Sequence, residues 1–307
     1  MVNEVTILIP TFNRSNLLNR ALESISRQSK DINIHCVISD NLSTDNTQKV
    51  IQEWQDFKSN LKITSIKHKN SITPFENWKS LISNIDTEYS KFLFDDDWLE
   101  ANALSTMLQD LINLDAKSIT YNTNIYAKSF NYEPIKNYYA KDTCELNTNI
   151  VIDSILKLAA PLPVTPSASI LATNLLVKAM KFSEINKNCT KYPIGNDLIM
   201  NYYPTFLGEK SYFQNKSIVN LWGGEDSITI RTTNGKLLSF CYLESLIHLI
   251  DNFYTELTKD QLRLMNHKIF LNNFRSKYQN NLKAFNDSKT FQSSLSFSEI
   301  FKHFSSK

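Results

Sequence analysis

Three consecutive aspartates, Asp95, Asp96 and Asp97, follow directly on the apolar run Phe92-Leu93-Phe94. Adjacent carboxylates are hard oxygen ligands suited to Mg²⁺ or Mn²⁺, with phosphate oxygens and water completing the shell. Acids in a first helical turn also complement the helix dipole, so capping explains part of the run. Three in succession exceed what capping needs, and like charges this close repel unless a cation or ligand offsets them. Asp40 ends a second apolar run. A carboxylate there can accept the imide N–H of a uracil ring, although Asp-Asn is also ordinary turn sequence. Further along, Gly195-Asn196-Asp197 and Gly224-Glu225-Asp226 each set an acid ahead of an apolar stretch.

The elements that must position these acids alternate over the first 120 residues. Val5–Pro10 is a β-branched apolar run, as expected of a strand buried on both faces. Leu17, Leu18, Ala21, Leu22 and Ile25 then share one helical face, with Ser15 placed to cap it. A strand at 35–39, a helix carrying Val50, Ile51, Trp54 and Phe57, and a strand at 61–66 follow. Pro74 opens a helix with Trp78, Leu81, Ile82 and Ile85 on its apolar face, and a strand at 91–94 runs into the triplet. Strand–helix alternation implies right-handed crossovers and a mostly parallel sheet, whose ligands bind outside the carboxyl ends of the strands. Asp40 and the triplet therefore fall on one edge. Beyond Ile119-Thr120-Tyr121 the pattern loosens, and from Leu237 onward Phe240, Leu243, Leu246, Ile247 and Ile250 mark helices.

Composition bounds the partners. The chain has 307 residues, enough for one large core and a smaller extension, and 33 basic against 31 acidic residues give a net charge of +2. That balance argues against nucleic acid. No apolar run approaches the roughly 18 residues that span a bilayer, and the amino terminus does not read as a secretory signal. A cytoplasmic protein is expected, with possible peripheral contact at the inner face of the cell membrane. Cys36, Cys144, Cys189 and Cys241 are widely spaced, so neither zinc nor a disulfide framework is indicated, and the five histidines are scattered.

Three ordered segments carry a specific resemblance: Val5-Thr-Ile-Leu-Ile-Pro-Thr-Phe-Asn-Arg14, Val37-Ile-Ser-Asp-Asn-Leu-Ser-Thr-Asp-Asn-Thr47 and Phe92-Leu-Phe-Asp-Asp-Asp-Trp-Leu-Glu100. Together they resemble family 2 glycosyltransferases of the A-type fold, over roughly residues 4–110 closely and 160–230 weakly. The resemblance implies a Rossmann-like, mostly parallel α/β sheet with a C-terminal helical appendage. It divides the chain into a glycosyltransferase domain at 1–234 (a nucleotide-sugar half at 1–120, an acceptor half at 121–234) and an extension at 235–307.

It also implies roles. Asp40 contacts the nucleotide base; Pro10, Thr11, Phe12, Arg14 and Asn77 lie at the donor; Asp95 and Asp96 face its diphosphate. Asp96 and Asp97 hold the metal, Mn²⁺ or Mg²⁺. Two departures stand out: Phe94 occupies the usual first aspartate, and Leu42 replaces the glycine of the second loop. The general base of an inverting transfer maps to Asp197, in a Gly-Asn-Asp rather than a Glu-Asp setting, and the 222–229 segment to a closing loop. The expected activity is metal-dependent transfer of a hexosyl or N-acetylhexosaminyl group from a UDP-sugar to a glycan or lipid-linked saccharide, in bacterial capsule or lipopolysaccharide synthesis. The competing reading is a non-catalytic nucleotide-sugar-binding subunit of a glycan-assembly complex. A sugar-nucleotide pyrophosphorylase needs a glycine-rich basic loop after the first strand, which Thr11-Phe-Asn-Arg14 is not. Phe297, Phe301 and Phe304 beside Lys302 and Lys307 suit packing on the main domain, or an anionic membrane surface.

Overall fold

A computed structural model describes residues 3–57, 61–126, 135–136, 142–157, 162–185, 194–223, 236–253 and 255–275. The first half alternates as its sequence pattern requires: β1 (Glu4–Thr11), α1 (Ser15–Ser26), β2 (Asn33–Asp40), α2 (Thr47–Asp56), β3 (Leu61–Lys67), α3 (Pro74–Ile82) and β4 (Tyr89–Phe92). Next come β5 (Trp98–Leu99), α4 (Ala103–Asn113), β6 (Ser118–Tyr126), β7 (Ile135–Lys136), β8 (Cys144–Leu146) and α5 (Thr148–Lys157). A 3₁₀ turn at Pro166–Ala168 leads into β9 (Ser169–Ala172) and α6 (Thr173–Ile185). The chain continues through α7 (Asn196–Phe206), β10 (Ser211–Trp222), α8 (Lys236–Asn252) and α9 (Lys259–Arg275).

The main sheet has the order β3-β2-β1-β4-β9-β6-β10-β5. Its long ladders are parallel: β1 with β2 and β4, β2 with β3, and β6 with β10. β9 enters antiparallel between β4 and β6. Alternation in β1 decides which layer covers which face. Val5, Ile7 and Ile9 pack with Leu18, Leu22 and Ile25 of α1 and with Leu104 and Leu108 of α4. Leu8 points the other way, to Phe75, Trp78 and Leu81 of α3 and Met200 of α7.

A further core joins Val151 and Leu156 of α5, Leu198 and Tyr202 of α7, Phe213 of β10, Leu246 and Ile250 of α8, and Met265 and Ile269 of α9. The helices beyond residue 235 thus bury their apolar faces against residues 146–213.

Several local expectations change. Ser15 is the first helical residue of α1 rather than its cap, and its backbone N–H donates to Asp45 Oδ2 at 3.0 Å, so the second loop caps this helix. β4 ends at Phe92, two residues early, although the Leu93 N–H still bonds Leu8 O. Phe57 is 60% exposed because α2 stops before it. Ile85 lies beyond the end of α3 but still packs against the Trp78 cluster. The 12-residue strand β10 was not expected from the sequence pattern. The segment 224–235, with Glu225, Asp226 and the Asn234-Gly235 boundary, lies outside the described residues, as do Cys189 and the 297–307 aromatics.

Candidate active site

The carboxyl ends of β1, β2 and β4 lie side by side, as the sheet order requires. Thr11 at the end of β1 pairs in register with Asp40 at the end of β2. The first loop bends through Asn13, at φ 53°, whose side-chain oxygen accepts the Thr44 N–H at 2.7 Å. Asp45 accepts the Thr47 N–H at 2.9 Å as well as the Ser15 N–H. These bonds tie the two loops into one unit. Phe12 projects from it, 49% exposed.

The triplet is gripped from the first loop. Thr11 Oγ1 donates to Asp95 Oδ2 at 2.7 Å, and Arg14 Nη1 donates to both Asp95 Oδ1 and Asp96 Oδ2 at 2.9 Å. Arg20 of α1 donates to the Asp96 carbonyl and lies over the Trp98 ring, 4.1 Å from its centroid. Asp97 Oδ1 accepts the Trp222 N–H at 3.2 Å, and Asp97 is the member of the triplet that acts most strongly on the Arg20 charge.

Burial raises the carboxyl groups in this cluster. Asp95 is pushed up to about 6 by burial and the neighbouring Asp96 against the pull of Arg14. Asp97 is raised well above the usual range by burial and by Asp96. The triplet therefore carries more negative charge than its surroundings welcome.

Beneath it, Lys91 is fully buried, its Nζ donating to Phe92 O at 2.8 Å and Ser167 O at 3.0 Å. Burial lowers its pKa to about 7. Ser167 Oγ in turn accepts the Phe94 N–H at 3.0 Å. This lysine, absent from the sequence expectations, ties the 3₁₀ turn to the strand that presents the acids. Its signal in the sequence was a lysine set directly before the apolar run Phe92-Leu93-Phe94.

Asp40 is fully buried, and its carboxylate accepts the Ser43 N–H at 3.0 Å together with the Ser43 hydroxyl and the Gln48 amide. Asn77 is 4% exposed; its Oδ1 accepts from Ser39 Oγ at 2.6 Å and its amide donates to Ser39 O at 3.3 Å. Asn77 thus braces the end of β2 beside Asp40.

Asp197 sits in the first turn of α7. Its Oδ1 accepts the Gly195 and Leu198 N–H groups at 2.9 and 3.0 Å, and its Oδ2 accepts from the Tyr242 hydroxyl at 2.8 Å. Burial raises it to about 6 although these bonds favour the charged form. Asn201 and Tyr202 of α7 bond the carbonyls of Pro163 and Thr165. The segment that carries Asp197 is thereby joined to the turn that holds Ser167.

Among the described residues, no three His, Cys, Asp or Glu side chains converge as a metal cage. The donors that are present still fit a hard divalent cation. Mg²⁺ in phosphate-handling sites is commonly held by one or two carboxylates together with substrate phosphates. Asp96 and Asp97 offer two carboxylates of that kind, and a cation beside Asp97 would favour the ionised form that burial and Asp96 disfavour.

Comparisons with known proteins bear on the fold and the family. The GalNAc(5)-diNAcBac-PP-undecaprenol β-1,3-glucosyltransferase of Campylobacter jejuni subsp. jejuni serotype O:2 is 35% identical over 107 residues, 34% of this chain and 34% of that protein. The chain spans about a third of the length of the curated relatives it matches. In fold it is similar to S. aureus TarS 1-349, solved with UDP-GlcNAc, at a TM-score of 0.65 and 11% identity over 91% of this chain and 75% of that one. It is also similar to the mannosyltransferase PcManGT of Pyrobaculum calidifontis, solved with GDP-Man and Mn²⁺, at a TM-score of 0.54 and 12% identity over 98% of this chain and 79% of that one. Residues 6–155, which hold both loops and the acidic triplet, match the model of glycosyl transferase family 2 and carry that family's domain.

Proposed function

We propose that the chain is a metal-dependent, inverting glycosyltransferase of bacterial surface-glycan synthesis. It takes a nucleotide-diphosphate sugar, by preference a UDP-sugar, and a glycan or lipid-linked saccharide acceptor. The observation that carries this reading is the grip of Thr11 and Arg14 on Asp95 and Asp96, at the edge where Asp40 also lies.

In this reading the donor lies across that edge. Its base meets Asp40 beside Pro10, Thr11 and Phe12, with Asn77 bracing the strand end. Its diphosphate reaches Asp95 and Asp96. A divalent cation at Asp96 and Asp97 would offset the charge that builds on the departing nucleoside diphosphate. Arg14 and Arg20 keep the triplet in place and share in that offset.

Asp197 takes the proton of the acceptor hydroxyl. The acceptor oxygen forms the new bond to the anomeric carbon as the carbon–phosphate oxygen bond breaks. The electron pair leaves with the diphosphate, and attack from the opposite face inverts the centre. An aspartate raised to about 6 is ionised at neutral pH yet more basic than a surface carboxylate, which suits this role.

Titrating a panel of nucleotide sugars with and without Mn²⁺ into wild type, Asp97→Ala and Asp197→Asn tests the reading. Metal-dependent binding should fall in Asp97→Ala. Asp197→Asn should keep donor binding and lose transfer. Full turnover by Asp197→Asn would reject the base, and metal-independent binding of every donor would reject the metal role.

A further inference from the structure

The antiparallel register of β9 on β4 pairs Tyr89 with Ala172 and Ser90 with Leu171. Continued past the end of that ladder, it sets Ser167 opposite Phe94, and Ser167 Oγ accepts the Phe94 N–H at 3.0 Å. Phe94 opens the tight turn that presents the acids, and the Asp97 N–H closes it on Phe94 O at 2.9 Å. The same serine hydroxyl bonds the Asp97 carboxylate and favours its charged form. A hydroxyl has one donor and two acceptor lone pairs. Here the donor goes to Asp97 and an acceptor to Phe94, so one side chain staples both ends of the turn.

Ser167 is fully buried and held by its own backbone. Its N–H donates to Thr165 Oγ1 at 3.3 Å, and its carbonyl accepts Lys91 Nζ at 3.0 Å. The residues before it are fastened to α7, where Asn201 Nδ2 donates to Pro163 O and Thr165 O at 3.2 and 3.0 Å. Asn201 lies one helical turn beyond Asp197. A run of buried hydrogen bonds therefore leads from the helix that carries Asp197 to the carboxylate of Asp97.

The two acids offered to a cation are thus set from opposite sides. β1 and β9 flank β4 in the sheet. Arg14, from the loop after β1, fixes Asp96, and Ser167, from the turn before β9, fixes Asp97. Asp97 also accepts the Trp222 N–H. Two bonds fix the plane of a carboxylate without using up its roughly four lone-pair sites.

We propose that Ser167 is a positioning residue of the cation site, whose hydroxyl holds the Asp97 carboxylate in the orientation that takes Mn²⁺ or Mg²⁺ and ties that orientation to α7. This rests on the reading above that Asp97 holds the cation. Groups that hydrogen-bond a ligating carboxylate set its direction, and removing one typically costs about 10–100-fold in metal affinity.

The test titrates UDP into the full chain as wild type, Ser167→Ala and Ser167→Cys, in Mn²⁺ and in EDTA, by calorimetry. The quantity read is the factor by which Mn²⁺ tightens UDP binding. Ser167→Ala should reduce that factor about tenfold at unchanged UDP affinity in EDTA. Ser167→Cys keeps a weak donor and should fall between the two, and it carries the measurement where the alanine variant does not fold. An unreduced factor in both variants overturns the positioning role. So does an equal fall of UDP affinity with and without Mn²⁺, which is what mere loosening of the turn would give. A wild type whose UDP binding ignores Mn²⁺ rejects the cation reading itself, and the role of Ser167 with it.

Discussion

Tyr242 donates a hydrogen bond of 2.8 Å to Asp197 Oδ2 from a helix 45 residues further along the chain. The bond favours the ionised carboxylate, while burial opposes it and leaves the group near 6. Tyr242→Phe removes the donor and keeps the ring. The carboxylate then holds its proton to higher pH, and the acidic limb of the kcat/KM profile should move upward from about 6. At neutral pH the rate should fall several-fold while donor affinity stays constant. A pH–rate series on both proteins checks this, and an unmoved limb would separate Tyr242 from the base.

Arg14 neutralises one side of the triplet through a single nitrogen shared by Asp95 and Asp96. Arg14→Met leaves three close carboxylates without that charge, and removing one member of a buried ion pair typically costs about 3 kcal/mol. The sign with pH follows from the raised values. Folded Asp95, near 6, binds its proton more tightly than in the unfolded chain. The triplet therefore lowers stability as pH rises from about 4 through 6. Arg14→Met should steepen that loss, and Mn²⁺ should restore part of it at pH 7.5. Urea titrations in EDTA and in Mn²⁺ at pH 5 and 7.5 provide the measurement.

The legible part of this site was the part built from short-range pattern. Strands such as β1 and β2 announce themselves because both faces are buried, giving the unbroken runs Val5–Pro10 and His35–Ser39. Asp40 and Asp95 follow at once because parallel strands end on one edge. β10 escaped notice because Gln214, Asn215 and Lys216 interrupt its apolar residues, and its register shifts between Gln214 and Val219. The Arg14 bridge and the Tyr242 bond join residues 81 and 45 positions apart, which no local periodicity encodes. Thr11, read as a donor contact, was visible as a residue type, but its bond to Asp95 was not.

Leu42 stands where the family resemblance calls for glycine, and the backbone explains the preference. Its φ is 62°, in the left-handed region, where a side chain costs about 1–2 kcal/mol. The leucine is 36% exposed and recovers little of this by burial. Leu42→Gly removes the strain but adds freedom to the unfolded chain, about 0.5–1 kcal/mol in the other direction. The net expectation is stabilisation of about 0.5–1 kcal/mol, read as a higher urea midpoint at unchanged slope. A lower midpoint would mean that the leucine side chain contributes packing to the loop around Asp40.

Gly195 is the opposite case, a glycine that its surroundings demand twice. Its φ is 98°, and an added Cβ would lie 2.8 Å from the Cys241 carbonyl and against the Ser245 hydroxyl. Both neighbours belong to α8, so the methyl group can be accommodated only by pushing that helix away from α7. Strain and overpacking together predict a loss of about 2–4 kcal/mol for Gly195→Ala. Displacing α8 also pulls Tyr242 from Asp197, so the variant that remains folded should show the same upward shift of the acidic limb as Tyr242→Phe. Thermal melts and a pH–rate series on Gly195→Ala read the two effects separately. A destabilised variant with a normal pH profile would show that Tyr242 keeps its bond when the helix moves.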